Sequence, residues 1–351
     1  MSGSWPERIK DRLGERGLAL AILAGLLVLG VVPLVALPAA RCHVFGDGCT
    51  AKLQPPKPAD PVAAHGSKAL TPAEAATHGS YVALGDSYSA GVGANLSPAD
   101  LNPLNRCHRS GKAYYYDVAK AFKFGKGTSF WACSGATTGN LENGQSGEPS
   151  QIGRVDQNTS LVTLSIGGND VGFARVLANC VIKLPWSNKC EGQGGEIADR
   201  MAKLRQSLPD VLQKINERAP AARVIVLGYP RGFSEASGSN GDNLSVHDQQ
   251  WLNGRARDLN ELIRQVASEA DRRIAATEGQ GSVEFIDAYS AFAGHEVGSP
   301  VPYINGLSVD LGALKSEARS FHPTDAGYQA LAKLFIDQVN KGPGRQLNQF
   351  R

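Results

Sequence analysis

The chain has 351 residues, of which 42% are hydrophobic and 20% are charged, so it can hold one large globular domain with an appendage or two small domains. Its net charge is +3 and it has no dense block of Lys and Arg, which argues against nucleic acid as a partner. The 40 glycines and 19 prolines are scattered, which excludes a fibrous chain and favours a loop-rich α/β protein.

An uncharged apolar run occupies residues 17–40. As a helix rising about 1.5 Å per residue, it is long enough to cross a hydrocarbon core about 30 Å thick, so the sequence predicts a membrane anchor. A cleaved signal peptide is the alternative, although the apolar region of such a peptide usually has about 7 to 15 residues. Residues 1–16 are rich in Lys and Arg, which predicts a cytoplasmic tail ahead of the anchor.

Six cysteines all follow this run, and their even number indicates an oxidising, extracytoplasmic compartment. Many pairings are open to six cysteines, but nearness along the chain suggests the disulfides Cys42–Cys49, Cys107–Cys133 and Cys180–Cys190. Metal binding is the alternative use of cysteine. Because no Cys-x-x-Cys pair occurs, we predict no metal site.

Residues 41–79 are predicted to form a linker, because they are rich in proline and poor in large apolar side chains. The globular domain is expected at 80–342, followed by a short tail at 343–351. Within the domain, short apolar runs predict strands at 81–84, 129–132, 161–166, 223–227 and 283–286. Longer amphipathic runs predict helices at 113–122, 196–218, 246–276 and 324–339. This alternation is typical of a parallel sheet covered by helices.

Ser87 follows the first predicted strand, in the segment Gly85-Asp86-Ser87-Tyr88. Open α/β sheets bind ligands beyond the carboxyl ends of their strands, so Ser87 is a candidate nucleophile. The alternative is an ordinary turn after a strand, since Gly, Asp and Ser all favour turns. We assign Asp86, like Asp170 farther along the chain, to hydrogen bonding within turns.

Three further candidate site residues lie in turns or loops of the predicted domain. Gly135 follows the second strand and offers a main-chain N–H, because glycine allows close approach of another molecule. Asn169 lies in a Gly-Gly-Asn-Asp turn after the third strand, where its amide could donate to an oxyanion or simply cap a helix. His322 precedes the last predicted helix, and a loop histidine is often exposed and without a role.

Together, and in this order, these four sites resemble the GDSL esterase and lipase family, also called SGNH hydrolases, over roughly residues 80–340. The segments Cys107-His-Arg-Ser110, Gly228-Tyr-Pro-Arg231 and Gly294-His-Glu296 resemble a secreted bacterial subgroup. The resemblance implies a three-layer α/β/α sandwich around a five-stranded, mostly parallel sheet. It implies Ser87 as nucleophile and His322 as general base and acid, without a cofactor. The implied oxyanion hole consists of the Ser87 and Gly135 N–H groups and the Asn169 side chain.

The sequence departs from this family beside the histidine. The usual block is Asp-x-x-His, but position 319 is Arg, so no carboxylate stands three residues before His322. In some relatives a main-chain carbonyl replaces the acid, and we therefore expect the Arg319 carbonyl to orient the imidazole. Glu317 is the alternative.

The resemblance implies an esterase or lipase that acts, as a monomer, on a small-molecule or lipid acyl ester. An acetyl esterase or acyltransferase that modifies cell-envelope carbohydrate is an alternative within the same chemistry. A binding module with a retired active site is an alternative of another class. All four catalytic positions are filled, which favours an enzyme.

Overall fold

The computed structural model describes residues 68–95, 104–184, 187–236, 244–310 and 315–349. The predicted tail at 1–16, the apolar run at 17–40, the disulfide Cys42–Cys49 and the linker up to residue 67 lie outside the described residues. Within the described ranges, no helix is both long enough and apolar enough to cross a membrane.

A five-stranded parallel sheet forms the centre of the fold. Its strands are the five predicted from sequence, with ends that differ by no more than two residues. In chain order they are β2 (Ser80–Gly85), β3 (Thr128–Phe130), β4 (Thr159–Ser165), β5 (Arg223–Leu227) and β6 (Ser282–Ile286). Across the sheet they lie in the order β3-β2-β4-β5-β6.

Helices cover both faces of this sheet. They are α1 (Pro72–Thr77), α2 (Ser87–Ala90), α3 (Tyr114–Ala121), α4 (Thr138–Asn143), α5 (Phe173–Val181), α6 (Gly194–Arg218), α7 (Val246–Ala276), α8 (Ala288–Ala291) and α9 (Asp325–Lys341). Of these, α3, α6, α7 and α9 correspond to the four predicted helices.

Side chains alternate between the two faces along each central strand, and this alternation builds two separate cores. Tyr81 and Ala83 pack into the core that contains α3 and α9. Val82 and Leu84 point the other way and pack into the core that contains α6 and most of α7. The predicted three-layer α/β/α sandwich is therefore confirmed.

The strand order creates a crevice between β2 and β4. The chain runs from β2 to its neighbour β3 on one side and then crosses to β4 on the other side. At such a switch point, loops leave the carboxyl ends of adjacent strands in opposite directions and a ligand site opens between them. Ser87 follows β2 and Asn169 follows β4, so both lie at this crevice.

Ordered elements extend beyond the predicted domain bounds of 80–342 at both ends. Strand β1 (Lys68–Leu70) pairs antiparallel with strand β9 (Leu347–Gln349). Leu70 and Leu347 line a small depression together with residues that precede β4, β5 and β6, so this ladder lies at the amino end of the sheet. A second short ladder, β7 (Val309–Asp310) with β8 (Lys315–Ser316), precedes the histidine.

Two of the predicted disulfides are present. Cys107–Cys133 ties an irregular segment to the turn after β3, two residues before Gly135. Cys180–Cys190 closes the segment after α5. The pairing predicted from nearness along the chain is confirmed for these four cysteines.

Candidate active site

Ser87 is the first residue of the short helix α2, and only Asp86 separates it from the end of β2. Asp86 caps this helix, because its carboxylate accepts a hydrogen bond of 3.0 Å from the Tyr88 N–H. Gly85 has a φ of 122°, and a Cβ at this position would lie 2.5 Å from the Ser165 carbonyl oxygen. Only glycine fits there, so the turn that presents Ser87 depends on close contact between β2 and β4.

His322 contacts Ser87 directly. Its Nε2 lies 2.8 Å from the Ser87 Oγ, and its Nδ1 lies 3.0 Å from the carbonyl oxygen of Ser320. A carbonyl can only accept, so Nδ1 carries the ring proton and Nε2 is left to accept the proton of the serine hydroxyl.

Burial of the imidazole keeps it neutral. Burial lowers the pKa of His322 from its ordinary value of 6.5 to about 4, although hydrogen bonds to the Ser320 and Ala318 main chain act in the opposite direction. The ring is therefore an available base at neutral pH.

The prediction that the Arg319 carbonyl orients the imidazole is wrong. That carbonyl accepts the main-chain N–H of His322 at 3.1 Å, and the ring instead contacts the Ser320 carbonyl. The reason is the backbone of Phe321, whose φ of 60° is left-handed and reverses the chain just before the histidine. The carboxylate of Glu317 pairs with the Arg319 side chain at 2.5 Å.

The histidine loop, residues 320–323, is held by Asn305 and Tyr88. The Asn305 amide donates to the carbonyls of Gly93 at 2.9 Å and His322 at 3.0 Å. The Tyr88 hydroxyl donates to the Phe321 carbonyl at 2.8 Å, and its ring lies 5.2 Å from the imidazole. Neither role was predicted from the sequence. Tyr88 stands next to the candidate nucleophile, but no sequence signal marks Asn305.

The predicted oxyanion donors meet around the same point. Ser87, Gly135 and Asn169 all line one cavity, and Gly135 adopts a left-handed φ of 83°. Within the described part of the chain, the N–H groups of Ser87 and Gly135 have no hydrogen-bond acceptor. The Asn169 amide donates one bond of 2.9 Å to the Ala136 carbonyl, and its second hydrogen has no acceptor among the described residues.

Asp86 and Asp170 are engaged in structural hydrogen bonds, as the sequence indicated. The buried Asp86 carboxylate accepts from the Ser165 hydroxyl at 2.6 Å and from the Tyr229 hydroxyl. Burial raises the pKa of Asp86 to about 6. Asp170 accepts from the Thr138 N–H at 3.0 Å and so ties the Asn169 turn to the start of α4.

The cavity above Ser87 has a volume of about 640 Å³. Its floor is polar, whereas α5 and α7 and the loops beside them supply largely apolar walls. The apolar side chains of the wall include Phe173, Leu177, Val181, Ile182, Phe233, Leu252, Ile304, Leu307 and Phe321. In the ranges that the structure covers, no group of three or more His, Cys, Asp or Glu side chains could hold a metal ion.

Comparisons with known proteins point to lipases and acylhydrolases. Residues 83–330 match the GDSL-like lipase/acylhydrolase family. A lipase of Streptomyces rimosus is 37% identical over 251 residues, which are 70% of this chain and 81% of that protein. Lipase 1 of Streptomyces coelicolor is 34% identical over 267 residues, which are 75% of this chain and 87% of that protein.

Solved structures with this fold point the same way. A phospholipase A1 from Streptomyces albidoflavus is 32% identical, with a TM-score of 0.62 over 74% of this chain and 99% of that one. An extracellular lipase from Streptomyces rimosus is also 32% identical, with a TM-score of 0.59 over the same shares of the two chains.

Proposed function

The chain belongs to the GDSL-like lipase/acylhydrolase family and is a carboxylic ester hydrolase, and we propose that Ser87 and His322 carry out its reaction. One observation carries this proposal. The Ser87 Oγ and the His322 Nε2 are 2.8 Å apart at the floor of the cavity, with the ring proton held on the opposite nitrogen. A hydroxyl in contact with a neutral imidazole is the arrangement that nucleophilic catalysis by serine requires.

The reaction begins when the Ser87 oxygen attacks the ester carbonyl carbon and its proton passes to the His322 Nε2. The tetrahedral intermediate then collapses, the bond to the alcohol breaks, and the imidazolium gives its proton to the departing alcohol. Water then attacks the carbonyl carbon of the acyl-serine and gives a proton to His322. The bond between that carbon and the Ser87 oxygen breaks, the imidazolium returns its proton to Ser87, and the acid leaves. The Ser320 carbonyl holds the ring in place, and it also stabilises the imidazolium, because Nδ1–H bonds to it throughout.

The oxyanion of each tetrahedral intermediate would be held by the Ser87 N–H, the Gly135 N–H and the Asn169 amide. Support comes from the two N–H groups and the second hydrogen of the Asn169 amide, all of which lack acceptors among the described residues. Fixed donors of this kind stabilise the transition state because they need no reorganisation, and losing one typically reduces the rate by about 100-fold to 1000-fold.

The apolar walls favour an acyl chain of several carbons over an acetyl group. An acetyl group would leave most of the 640 Å³ cavity without a partner, whereas each buried methylene contributes about 0.8 kcal/mol. We therefore place lipid or medium-chain esters ahead of acetylated carbohydrate as substrates. Turnover of nitrophenyl esters should rise from acetate to octanoate, and the same assays with acetylated sugars test the alternative.

We further propose that the domain works outside the cytoplasm, as a monomer, with residues 17–40 as its membrane anchor. Two disulfides among the described cysteines and the extracellular relative support the location. The contribution of Ser87, Gly135, Asn169 and His322 by a single chain supports the monomer. Cleavage after the apolar run would instead give a secreted enzyme.

Labelling with a fluorophosphonate, followed by peptide mapping, tests the assignment of the nucleophile. The reagent should label Ser87, and Ser87→Ala should abolish labelling. Ser134, which also lines the cavity, provides the matched control, because Ser134→Ala should be labelled as the wild type is. Label on a different serine would refute the assignment, and a wild-type protein without ester turnover would favour the binding module.

A further inference from the structure

Tyr229 follows β5 and is buried beside the active site. It lies in the segment Gly228-Tyr-Pro-Arg231, and neither this segment nor the reaction of Ser87 and His322 gives it a role. Its hydroxyl oxygen accepts a hydrogen bond of 2.8 Å from the Gly168 N–H. The same hydroxyl contacts a carboxylate oxygen of Asp86. Because one neighbour is an N–H donor and the other is a carboxylate, the hydroxyl hydrogen points to Asp86 and the direction of both bonds is fixed.

These two bonds join the two turns that form the reaction centre. Asp86 immediately precedes Ser87, and its carboxylate also receives the Tyr88 N–H at 3.0 Å. Gly168 immediately precedes Asn169, the side-chain donor of the oxyanion hole. Tyr229 therefore connects the segment that carries the nucleophile to the segment that carries the amide donor.

Tyr229 is itself held rigidly. The side chain of Asn260 on α7 accepts from the Tyr229 N–H and donates to the Tyr229 carbonyl, each at 2.7 Å. The ring packs so closely on Gly168 that a Cβ there would lie 2.9 Å from the ring carbon Cζ. Its edge also meets the Tyr88 ring, with centroids 5.2 Å apart. A group fixed on this many sides can define the distance between two turns.

We propose that Tyr229 is a positioning residue whose hydroxyl sets the placement of the Asn169 donor relative to Ser87. The proposal rests on the function proposed above. Substrate binding depends mainly on the apolar walls, whereas the placement of the oxyanion donors matters most once the tetrahedral oxyanion forms. Loss of the hydroxyl should therefore weaken transition-state stabilisation and leave ground-state binding intact.

The test is Tyr229→Phe, which removes only the hydroxyl. For a nitrophenyl octanoate, kcat should fall about 10-fold to 100-fold, less than for outright loss of a donor, while KM changes by less than about twofold. An alkyl trifluoromethyl ketone, which forms a tetrahedral oxyanion adduct with the serine, should bind weaker by the same factor as kcat/KM. The ketone affinity measures how well the oxyanion hole stabilises a tetrahedral oxyanion. A loss of kcat with a merely structural cause would not be matched by an equal loss of ketone affinity.

Tyr115→Phe is the matched control, since it removes a tyrosine hydroxyl that donates to Thr128 at 2.8 Å, away from the cavity. The control should keep wild-type kcat and ketone affinity. Wild-type turnover, and its loss in Ser87→Ala, check the proposed function independently. The positioning role is refuted if Tyr229→Phe keeps wild-type kcat and ketone affinity, or if kcat falls while ketone affinity does not. Should Tyr229→Phe fail to fold, Asp86→Asn decides by the same two readouts, because it removes the carboxylate that fixes the hydroxyl.

Discussion

The turn that carries Ser87 and Tyr88 and the loop that carries His322 are joined by two hydrogen bonds, from Ser87 to the imidazole and from Tyr88 to the Phe321 carbonyl. Apart from these bonds, different groups hold the two segments in place. Buried side chains fix the serine turn: Gln151 bonds both the N–H and the carbonyl of Gly85, and Asp86 receives three donors. Main-chain carbonyls, the Asn305 amide and the Tyr88 hydroxyl fix the histidine loop. The serine turn is therefore part of the core, whereas the histidine loop is a surface segment pinned at a few points.

This difference separates stability from activity. Disturbing the serine turn should leave buried polar groups without partners, which lowers the free energy of unfolding. Disturbing the histidine loop should change the orientation of the base and lower the rate, with a smaller effect on folding. The following substitutions test that separation.

The largest effect is expected from Ser87→Ala, which removes the proposed nucleophile. By comparison with other serine hydrolases, kcat should fall by roughly 10⁴-fold or more, while the melting temperature stays near that of the wild type. Turnover of a nitrophenyl ester and a thermal melt measure the two quantities. Residual activity above a few per cent would contradict the role of Ser87.

Gln151→Ala should act mainly on stability. The buried glutamine oxygen accepts the Gly85 N–H at 2.7 Å, and without it this donor loses its partner. The free energy of unfolding should fall by about 2 kcal/mol, the usual cost of an unsatisfied buried group. Urea unfolding measures the change, with Gln206→Ala, an exposed glutamine on α6, as the control. A loss of kcat without a loss in the free energy of unfolding would show that Gln151 acts on the rate, as the histidine loop does, and not on stability.

The two turns should respond to pH with opposite signs. The pKa of folded His322 is lowered to about 4, so as pH falls below 6.5 the unfolded chain binds a proton first and stability decreases. The pKa of folded Asp86 is raised to about 6, so over the same window the folded chain binds a proton first and stability increases.

As pH falls from 7 to 5, the free energy of unfolding of His322→Gln should therefore rise by about 2 kcal/mol relative to that of the wild type. Over the same range, the free energy of unfolding of Asp86→Asn should fall relative to that of the wild type. Urea unfolding of the three proteins at both pH values checks the signs. If the free energy of unfolding changed equally with pH in the two variants, His322 and Asp86 would not contribute with opposite signs.

Asn305→Ala should act mainly on rate. The amide bonds to Gly93 and His322 disappear, and the loop can then rotate the imidazole away from Ser87. We expect kcat to fall about tenfold, equivalent to about 1.4 kcal/mol, with little change in KM. Steady-state kinetics on a soluble ester measures this, and Asn340→Ala on the exposed face of α9 is the control. A variant that keeps full kcat but melts earlier would show a structural role only.

The smallest effect is expected from Arg319→Ala. The main-chain carbonyl remains. The side chain forms an exposed ion pair with Glu317, which contributes less than about 1 kcal/mol, and donates exposed hydrogen bonds of 3.0 and 2.7 Å to the Ser308 hydroxyl. Activity should stay within about twofold of the wild type. Glu317→Gln should behave in the same way, and a large loss in either variant would restore a role for the carboxylate.

The sheet and its four main helices could be predicted because their apolar patterns are long and regular. Ser87, Gly135 and Asn169 could be predicted to converge because parallel strands end at one edge of a sheet. Strand β1 and helix α1 were missed because they are short and lie in a segment that reads as a linker. The pair Thr71 and Glu74, which forms a capping box, was the available signal for α1.

The partner of the imidazole could not be predicted in the same way. The choice between the carbonyls of residues 319 and 320 depends on the left-handed backbone at Phe321, a conformation that a phenylalanine does not indicate by its type. Tyr229 was likewise part of a recognised motif, but its contacts with Gly168 and Asp86 join segments far apart in the chain.

The pairing of β1 with β9 brings residues 68 and 349 side by side, at the end of the sheet away from the cavity mouth. A bead or a fused reporter attached at either end of this ladder will leave the entrance facing solution, and a short peptide between the two ends can close the domain into a ring. New termini for a circularly permuted enzyme can then be opened in a surface loop without moving the reaction centre.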